Sequence, residues 1–323
     1  MHIPDGFVSG PINLAGALVA GSVVSLSAWR VSRSLHQRPS TVPLLATTAA
    51  FVFAAQMLNF PIGAGTSGHF LGAAFVAALL SGPAASLVIA LVLVIQCFGF
   101  QDGGLTALGT NIFNMGLVGG LLPYALMRLL RSILPAGKTW YLATVAFVAW
   151  LSVLLASAAC ALELALSGTF PLVVVFPAMV GIHALIGIGE ALITVSILSL
   201  VAVSRPDLLP AWSRIDPAPR PSPVRRHVWG LAAVGLVLAL ALAFFVSPFA
   251  SSSPDGLEKV ADTHGFLSLG NTSVWSHSLM PDYSLPGVTS ERLSTGLAGL
   301  LGTAAIFLFG FFLIRVLSFR SPD

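Results

Sequence analysis

The sequence predicts an all-α polytopic membrane protein with about nine transmembrane helices and an extracytoplasmic N-terminus. Three observations predict it. Apolar residues make up 56% of the 323 positions and charged residues 8%, where a soluble domain carries about 25% charged residues. So little charge cannot cover a soluble enzyme. The apolar residues come in blocks that approach the roughly 20 residues needed to cross a bilayer. The basic residues are concentrated in alternate loops, as the positive-inside rule requires.

The spans fall at 11–29, 42–60, 68–82, 84–100, 105–127, 140–163, 172–203, 228–250 and 293–314. The first opens on Gly10-Pro11, a helix start with proline in the first turn. Arg30, Arg33 and Arg38 follow it and hold its C-terminal end in the cytoplasm. No basic segment precedes it and Asp5 stands there instead, so no signal peptide is read and the mature chain is expected to begin at Met1, outside. The third block is short and Gly-rich, and alone it reads equally as a re-entrant segment. Charge decides for a crossing. With nine spans, the inside loops collect Arg30, Arg33 and Arg38, then Arg128, Arg131 and Lys138, then Arg205, Arg214, Arg220, Arg225 and Arg226, and finally Arg315 and Arg320. Only Lys259 and Arg292 lie outside. Removing the third span flips everything after it and scatters the basic groups. Gly68, Gly72, Ala73 and Ala74 would let this short span lean closely on its neighbours.

The Pro/Arg-rich stretch 204–226 reads as a cytoplasmic linker. It divides the chain into a seven-span domain, 1–203, and a two-span hairpin domain, 227–323, whose outer loop covers about 251–292. The two cysteines, Cys97 and Cys160, lie in apolar blocks and offer no disulfide framework. The pI near 9.2 reflects topology rather than a nucleic-acid surface, since the basic residues sit in short runs between spans. Gly137-Lys138-Thr139 mimics the end of a phosphate-binding loop. Ser132 stands where that pattern needs its first glycine, and no strand precedes it. The chain therefore carries no ATPase of its own, and no HExxH or GxSxG pattern suggests a membrane hydrolase.

Met1-His2 carries the first metal chemistry. A free α-amine, the amide nitrogen of residue 2 and the imidazole Nδ1 can close two adjacent chelate rings, giving three nitrogens in a plane with one corner open. Planar nitrogen fields suit Ni(II) and Cu(II). His69 follows the Gly-rich run 61–68 and lies by topology on the same side as Met1, where it could fill that corner. A polar cap at the membrane interface is the plainer reading of a lone histidine. Asp102, Asn111 and Asn114 lie at the outer end of spans four and five, where they could brace the metal loop by hydrogen bonds or form an ordinary polar helix start. His183 and Glu190, seven residues apart on one helical face, are ionisable groups inside a span. They read either as an ion path or as a buried contact that fixes helix packing; the packing role is preferred for both, less strongly for His183, which is also a candidate to support the metal site by hydrogen bonding.

Met1-His2-Ile3-Pro4-Asp5-Gly6, Gly65-Thr66-Ser67-Gly68-His69, the block from Asp102-Gly103-Gly104 to Asn114-Met115-Gly116, and the run from His183 to Ala191 together resemble the CbiM/NikM family over residues 1–203. These are metal-capturing S subunits of energy-coupling-factor (ECF) transporters for cobalt and nickel. Pro254-Asp255-Gly256-Leu257-Glu258 resembles the PDGLE domain, an N-type accessory component, so the whole chain resembles a fused NikMN-type arrangement. The resemblance implies a metal held by the amine of Met1, the amide and imidazole nitrogens of His2, and the imidazole of His69. It implies a transmembrane coupling (T) subunit and ATPase (A) subunits as partners, with no organic cofactor. Phe70 and Ala73 depart mildly from the more aliphatic and Gly-rich character expected after the histidine.

The expected function is ATP-driven uptake of a transition metal across the inner (plasma) membrane, with Ni(II) favoured over Co(II) and no catalysis by the chain itself. The rival expectation is a partner-independent secondary transporter or channel using His183 and Glu190.

Overall fold

The computed structural model describes residues 1–37, 41–63, 65–209, 212–215, 224–270 and 273–319. Its elements are α1 (Gly10–Gln37), α2 (Val42–Gln56), a small antiparallel hairpin of β1 (Phe60–Gly63) and β2 (Thr66–Gly68), α3 (Ala73–Leu79), α4 (Gly82–Ile95), α5 (Leu108–Ile112), α6 (Leu122–Ile133), α7 (Lys138–Leu166), α8 (Leu172–Ser204), α9 (Trp212–Ile215), α10 (Val224–Ala241), α11 (Gly256–His264) and α12 (Glu291–Phe319). Wide π-helical turns extend α4 through Phe100, join α5 to α6 and extend α10 to Val246. The chain is a multi-pass membrane protein: among the described residues seven helices are long and apolar enough to cross a bilayer, over 10–36, 82–100, 108–133, 138–166, 172–204, 228–249 and 291–318. Within the expected linker, residues 210–211 and 216–223 lie outside the described residues.

Two expected spans take a different form. Helix α2 has 15 residues, and every one except Phe51 is buried. At 1.5 Å per residue it covers about 22 Å, short of the roughly 30 Å hydrocarbon core. It is apolar all round because protein surrounds it: α10 and α12 pack against it. The third span, expected over 68–82, is largely not a helix. Residues 66–68 form β2, residues 69–72 run without helical structure, and α3 has only seven residues. Gly72, with φ +80°, is the left-handed residue that turns the chain into α3.

Backbone that breaks helix inside a membrane must find partners within the protein. Here the Glu190 carboxylate accepts the amide hydrogens of Leu71 at 2.7 Å and Gly72 at 2.9 Å, and the Gln56 side chain donates to the Leu71 carbonyl at 2.8 Å. Ser81 then caps α4 by accepting from the Ala84 amide.

Several basic helix ends meet one another. Ser32 donates to the Leu317 carbonyl at 2.6 Å, joining the C-terminal ends of α1 and α12. Arg131 lies over the Tyr141 ring and Lys138 over the Trp212 ring. At the other end of α1 lies the N-terminal peptide, tucked into the bundle.

Candidate metal centre

Residues 1–9 precede α1 without regular structure, yet Ile3 is fully buried and Phe7 nearly so. Hydrogen bonds from several elements hold them. Asn111, inside α5, accepts from the Ile3 amide at 2.8 Å and donates to the Ile3 carbonyl at 3.0 Å. The Gly104 amide donates to the same carbonyl at 2.9 Å. A Cβ at Gly104 would stand 2.2 Å from the Asp5 nitrogen, so only glycine lets the loop after α4 approach so closely. Asp5 accepts from the amide and hydroxyl of Thr106, and Thr169 donates to the Phe7 carbonyl.

This peptide delivers the nitrogen of Met1 to a buried cluster. It lies 2.5 Å from His69 Nε2 and 2.7 Å from Asp255 Oδ2. The rings of His2 and His69 stack at 5.2 Å between centroids, 19° from parallel. His2 Nδ1 meets Asp102 Oδ1 at 3.1 Å, and Tyr283 donates to Asp102 Oδ2 at 2.5 Å.

The hydrogen bonds select the tautomers. Nδ1 of His69 donates to the Phe70 carbonyl at 3.2 Å, which leaves the lone pair on Nε2, facing Met1. Burial, with the nearby positive nitrogen, lowers the His69 and His2 imidazoles to about 3 each. Both are therefore neutral near pH 7, the state a metal requires. Burial pushes the Asp255 carboxyl up, but the Met1 ammonium and His69 more than offset it and hold it below the usual carboxylate range. Asp102 is pushed up by burial despite the Tyr283 bond.

Among the described residues no group of three or more His, Cys, Asp and Glu could hold a metal. A nitrogen-rich donor set here has to include main-chain nitrogen. The chelate expected at His2 uses Nδ1, and in this conformation Asp102 occupies that nitrogen while Nε2 is buried without a partner. A metal at Nδ1 would therefore take the place of Asp102.

The remaining sequence candidates divide. Asn111 braces Ile3, two residues from Met1. Asn114 does not reach the cluster; it donates to Glu163 at 2.6 Å in a separate buried pair. His183 donates through Nδ1 to the Met179 carbonyl at 2.7 Å, and its Nε2 is buried without a partner. Both oxygens of Glu190 are occupied by the backbone of 71–72.

Residues 2–208 match the family described as the cobalt uptake substrate-specific transmembrane region, CbiM. The chain belongs to the CbiM family. Residues 229–319 of this CbiM-family chain match the PDGLE domain. A relative in Archaeoglobus fulgidus, named as a fused nickel transport protein NikMN, is 34% identical over 98% of both chains. The fused nickel transport protein NikMN of Rhodobacter capsulatus is 29% identical over 95% of both. A crystal structure of a truncated transition metal transporter superposes with a TM-score of 0.56 at 32% identity, covering 63% of this chain and 99% of its own.

The PDGLE motif of this CbiM-family chain sits on the cluster, and each letter has a physical task. The Pro254 carbonyl accepts from the Ser67 amide at 2.9 Å, beside the hairpin that leads to His69. Asp255 caps α11 by accepting from the Glu258 amide, and Glu258 returns the bond to the Asp255 amide, a capping box. A Cβ at Gly256 would lie 2.6 Å from Cε1 and 2.9 Å from Nε2 of His183, so the missing side chain is what admits that ring. Leu257 is 1% exposed and joins the main core.

Asp255 is the residue the sequence did not place at the site. The D-x-x-E spacing foretells a helix start, but nothing local says which surface that helix meets. Val274 and Tyr283, which bond Asp5 and Asp102 from the same outer loop, carry no local pattern either.

Proposed function

We propose that the chain captures Ni(II) or Co(II) from outside the cell for an ECF-type importer of the inner membrane, with nickel preferred. Residues 1–203 form the capture domain and 227–323 the accessory domain, joined by a cytoplasmic linker at 204–226. One observation carries this reading: the nitrogen of Met1 is buried, 2.5 Å from His69 Nε2 and beside the His2 ring. A terminal nitrogen is ordinarily left in water, because burying its charge is costly. Bringing it to two neutral imidazoles makes sense where those nitrogens share a cation.

The donors would be the amine of Met1, the amide nitrogen and Nδ1 of His2, and Nε2 of His69. Four nitrogens in a plane favour Ni(II) over Co(II), and the NikMN relatives are named for nickel. The sequence has no phosphate-binding loop, so the driving energy is assigned to separate coupling and ATPase subunits.

The test has two arms. Purified chain exposed to equimolar nickel and cobalt is expected to retain mostly nickel. Vesicles holding the chain together with its coupling and ATPase subunits are expected to accumulate nickel only with ATP. Accumulation by the chain alone would replace this reading with a partner-independent carrier.

A further inference from the structure

Asp255 belongs to the accessory domain, yet it divides its carboxylate between that domain and the metal cluster. Oδ1 accepts from the Glu258 amide at 2.8 Å and so caps α11. Oδ2 lies 2.7 Å from the nitrogen of Met1. The residue cannot drift, because its neighbours are clamped: Ser67 bonds the carbonyls of Ser253 and Pro254, and Gly256 lies flush against His183. The ion pair is nearly enclosed, with the two side chains 4% and 14% exposed. A buried cation with its partner removed is strongly destabilising.

The same geometry serves the loaded site. An amine bound to a metal through its lone pair keeps two N–H bonds. One of them can still point to Oδ2 while the lone pair faces the metal beside His69 Nε2. The carboxylate also balances a dication in a site whose histidines are neutral. Outer partners that orient a ligand in this way commonly set metal affinity.

We infer that Asp255 is a positioning residue of the capture site, supplied by the accessory domain, so that the PDGLE motif completes a metal centre formed by the other domain. The inference rests on the proposed ligation by Met1, His2 and His69. It makes the fused domain part of the binding site.

Nickel titration of the full chain in detergent, read by affinity and by the visible absorption of the bound ion, tests it. Asparagine caps helices as well as aspartate does, so Asp255→Asn removes the charge and spares α11. It is expected to lower the melting temperature of the metal-free chain, because the Met1 ammonium loses its charged partner, to weaken nickel binding about 10- to 100-fold and to shift the absorption bands. Glu258→Gln removes the same charge three residues away and keeps the capping box; it is expected to bind as the wild type does. Asp255→Ser, also a good cap, stands in should the asparagine variant not fold. Equal losses in Asp255→Asn and Glu258→Gln would overturn the inference in favour of general electrostatics. Wild-type affinity and absorption in Asp255→Asn, with binding lost in His69→Ala, would overturn it and leave the ligand set standing. Wild-type binding in His69→Ala would remove the ligand set itself.

Discussion

The Glu190 carboxylate accepts the amide hydrogen of Leu71 at 2.7 Å, across 119 residues of sequence. Its other oxygen does the same for Gly72. This one side chain replaces helical hydrogen bonds for the irregular segment that carries His69. The result is an ionisable group inside a span with both oxygens committed to structure, unlike the free carboxylate that an ion path needs.

Glu190→Gln should therefore destabilise the fold. The amide keeps one oxygen, and its NH2 group faces a second backbone N–H. Leaving one buried donor unpaired costs about 1–3 kcal/mol. A lower melting temperature and weaker nickel binding are expected, because Leu71 lies two residues from His69. Normal melting and normal binding with altered uptake would instead place Glu190 on a conduction path.

Extending the chain by one glycine before Met1 moves the amine away from both His69 and Asp255. Nickel affinity should fall by more than the roughly 100-fold that loss of an outer partner brings. His36→Ala, remote from the cluster and bonded to its own helix at Ser32, should leave affinity unchanged. Calorimetric titration of the two variants, with intact mass to confirm each first residue, checks this. An extended chain that binds as tightly as the original counts against ligation by the amine.

Asn111 holds both polar groups of Ile3. In Asn111→Ala the Ile3 amide loses its partner, while the carbonyl keeps Gly104. A cost of about 1–3 kcal/mol follows from the buried unpaired group. Because residue 3 orients residues 1 and 2, nickel affinity should drop together with stability. Proteolysis near the N-terminus should speed up, and mass spectrometry of the fragments reads it. Asn111→Asp should not rescue binding, since one carboxylate oxygen accepts from the amide but the other is set against the Ile3 carbonyl oxygen, where Asn111 places its NH2 group.

The pH dependence of folding has a definite sign. His2 and His69 are lowered to about 3 in the fold, against about 6.5 in the unfolded chain. Between those values the unfolded state binds more protons, so stability rises with pH across the window and is lost as pH falls from about 6.5 toward 3. Asp255, held low chiefly by the Met1 ammonium against the effect of burial, acts in the same sense. Asp102, raised by burial, opposes it. The metal-free chain should melt at progressively lower temperature from pH 7 to pH 4. Melting that does not change over that range would show that the imidazoles are not held neutral by the fold.

The membrane character of the chain was legible because long helices depend on local composition: each of the seven spanning helices overlaps an expected block. The third expected span was not legible as it stands. Its sequence is apolar enough to cross, and what breaks it is a glycine with positive φ stabilised by Glu190, a partner in a different helix. The site divides in the same way. Met1, His2 and His69 come together around chemistry visible in the residue types themselves. Asn114 resembled Asn111 in sequence, yet it faces Glu163 and lies outside the cluster. Asp255 was legible as part of the PDGLE resemblance but not as a partner of Met1, because its second oxygen acts on a residue 254 positions away.

That separation sets a timetable for assembly. At about 5–20 residues per second, Asp255 leaves the ribosome on the order of tens of seconds after Met1. His69 and Asn111 arrive between them. The nitrogen of Met1 thus waits for the carboxylate that it meets in the folded chain. Until the stretch that carries Asp255 is made, the opening peptide has only the partners that residues before it supply, Asn111 and Gly104 at Ile3 and Thr106 at Asp5.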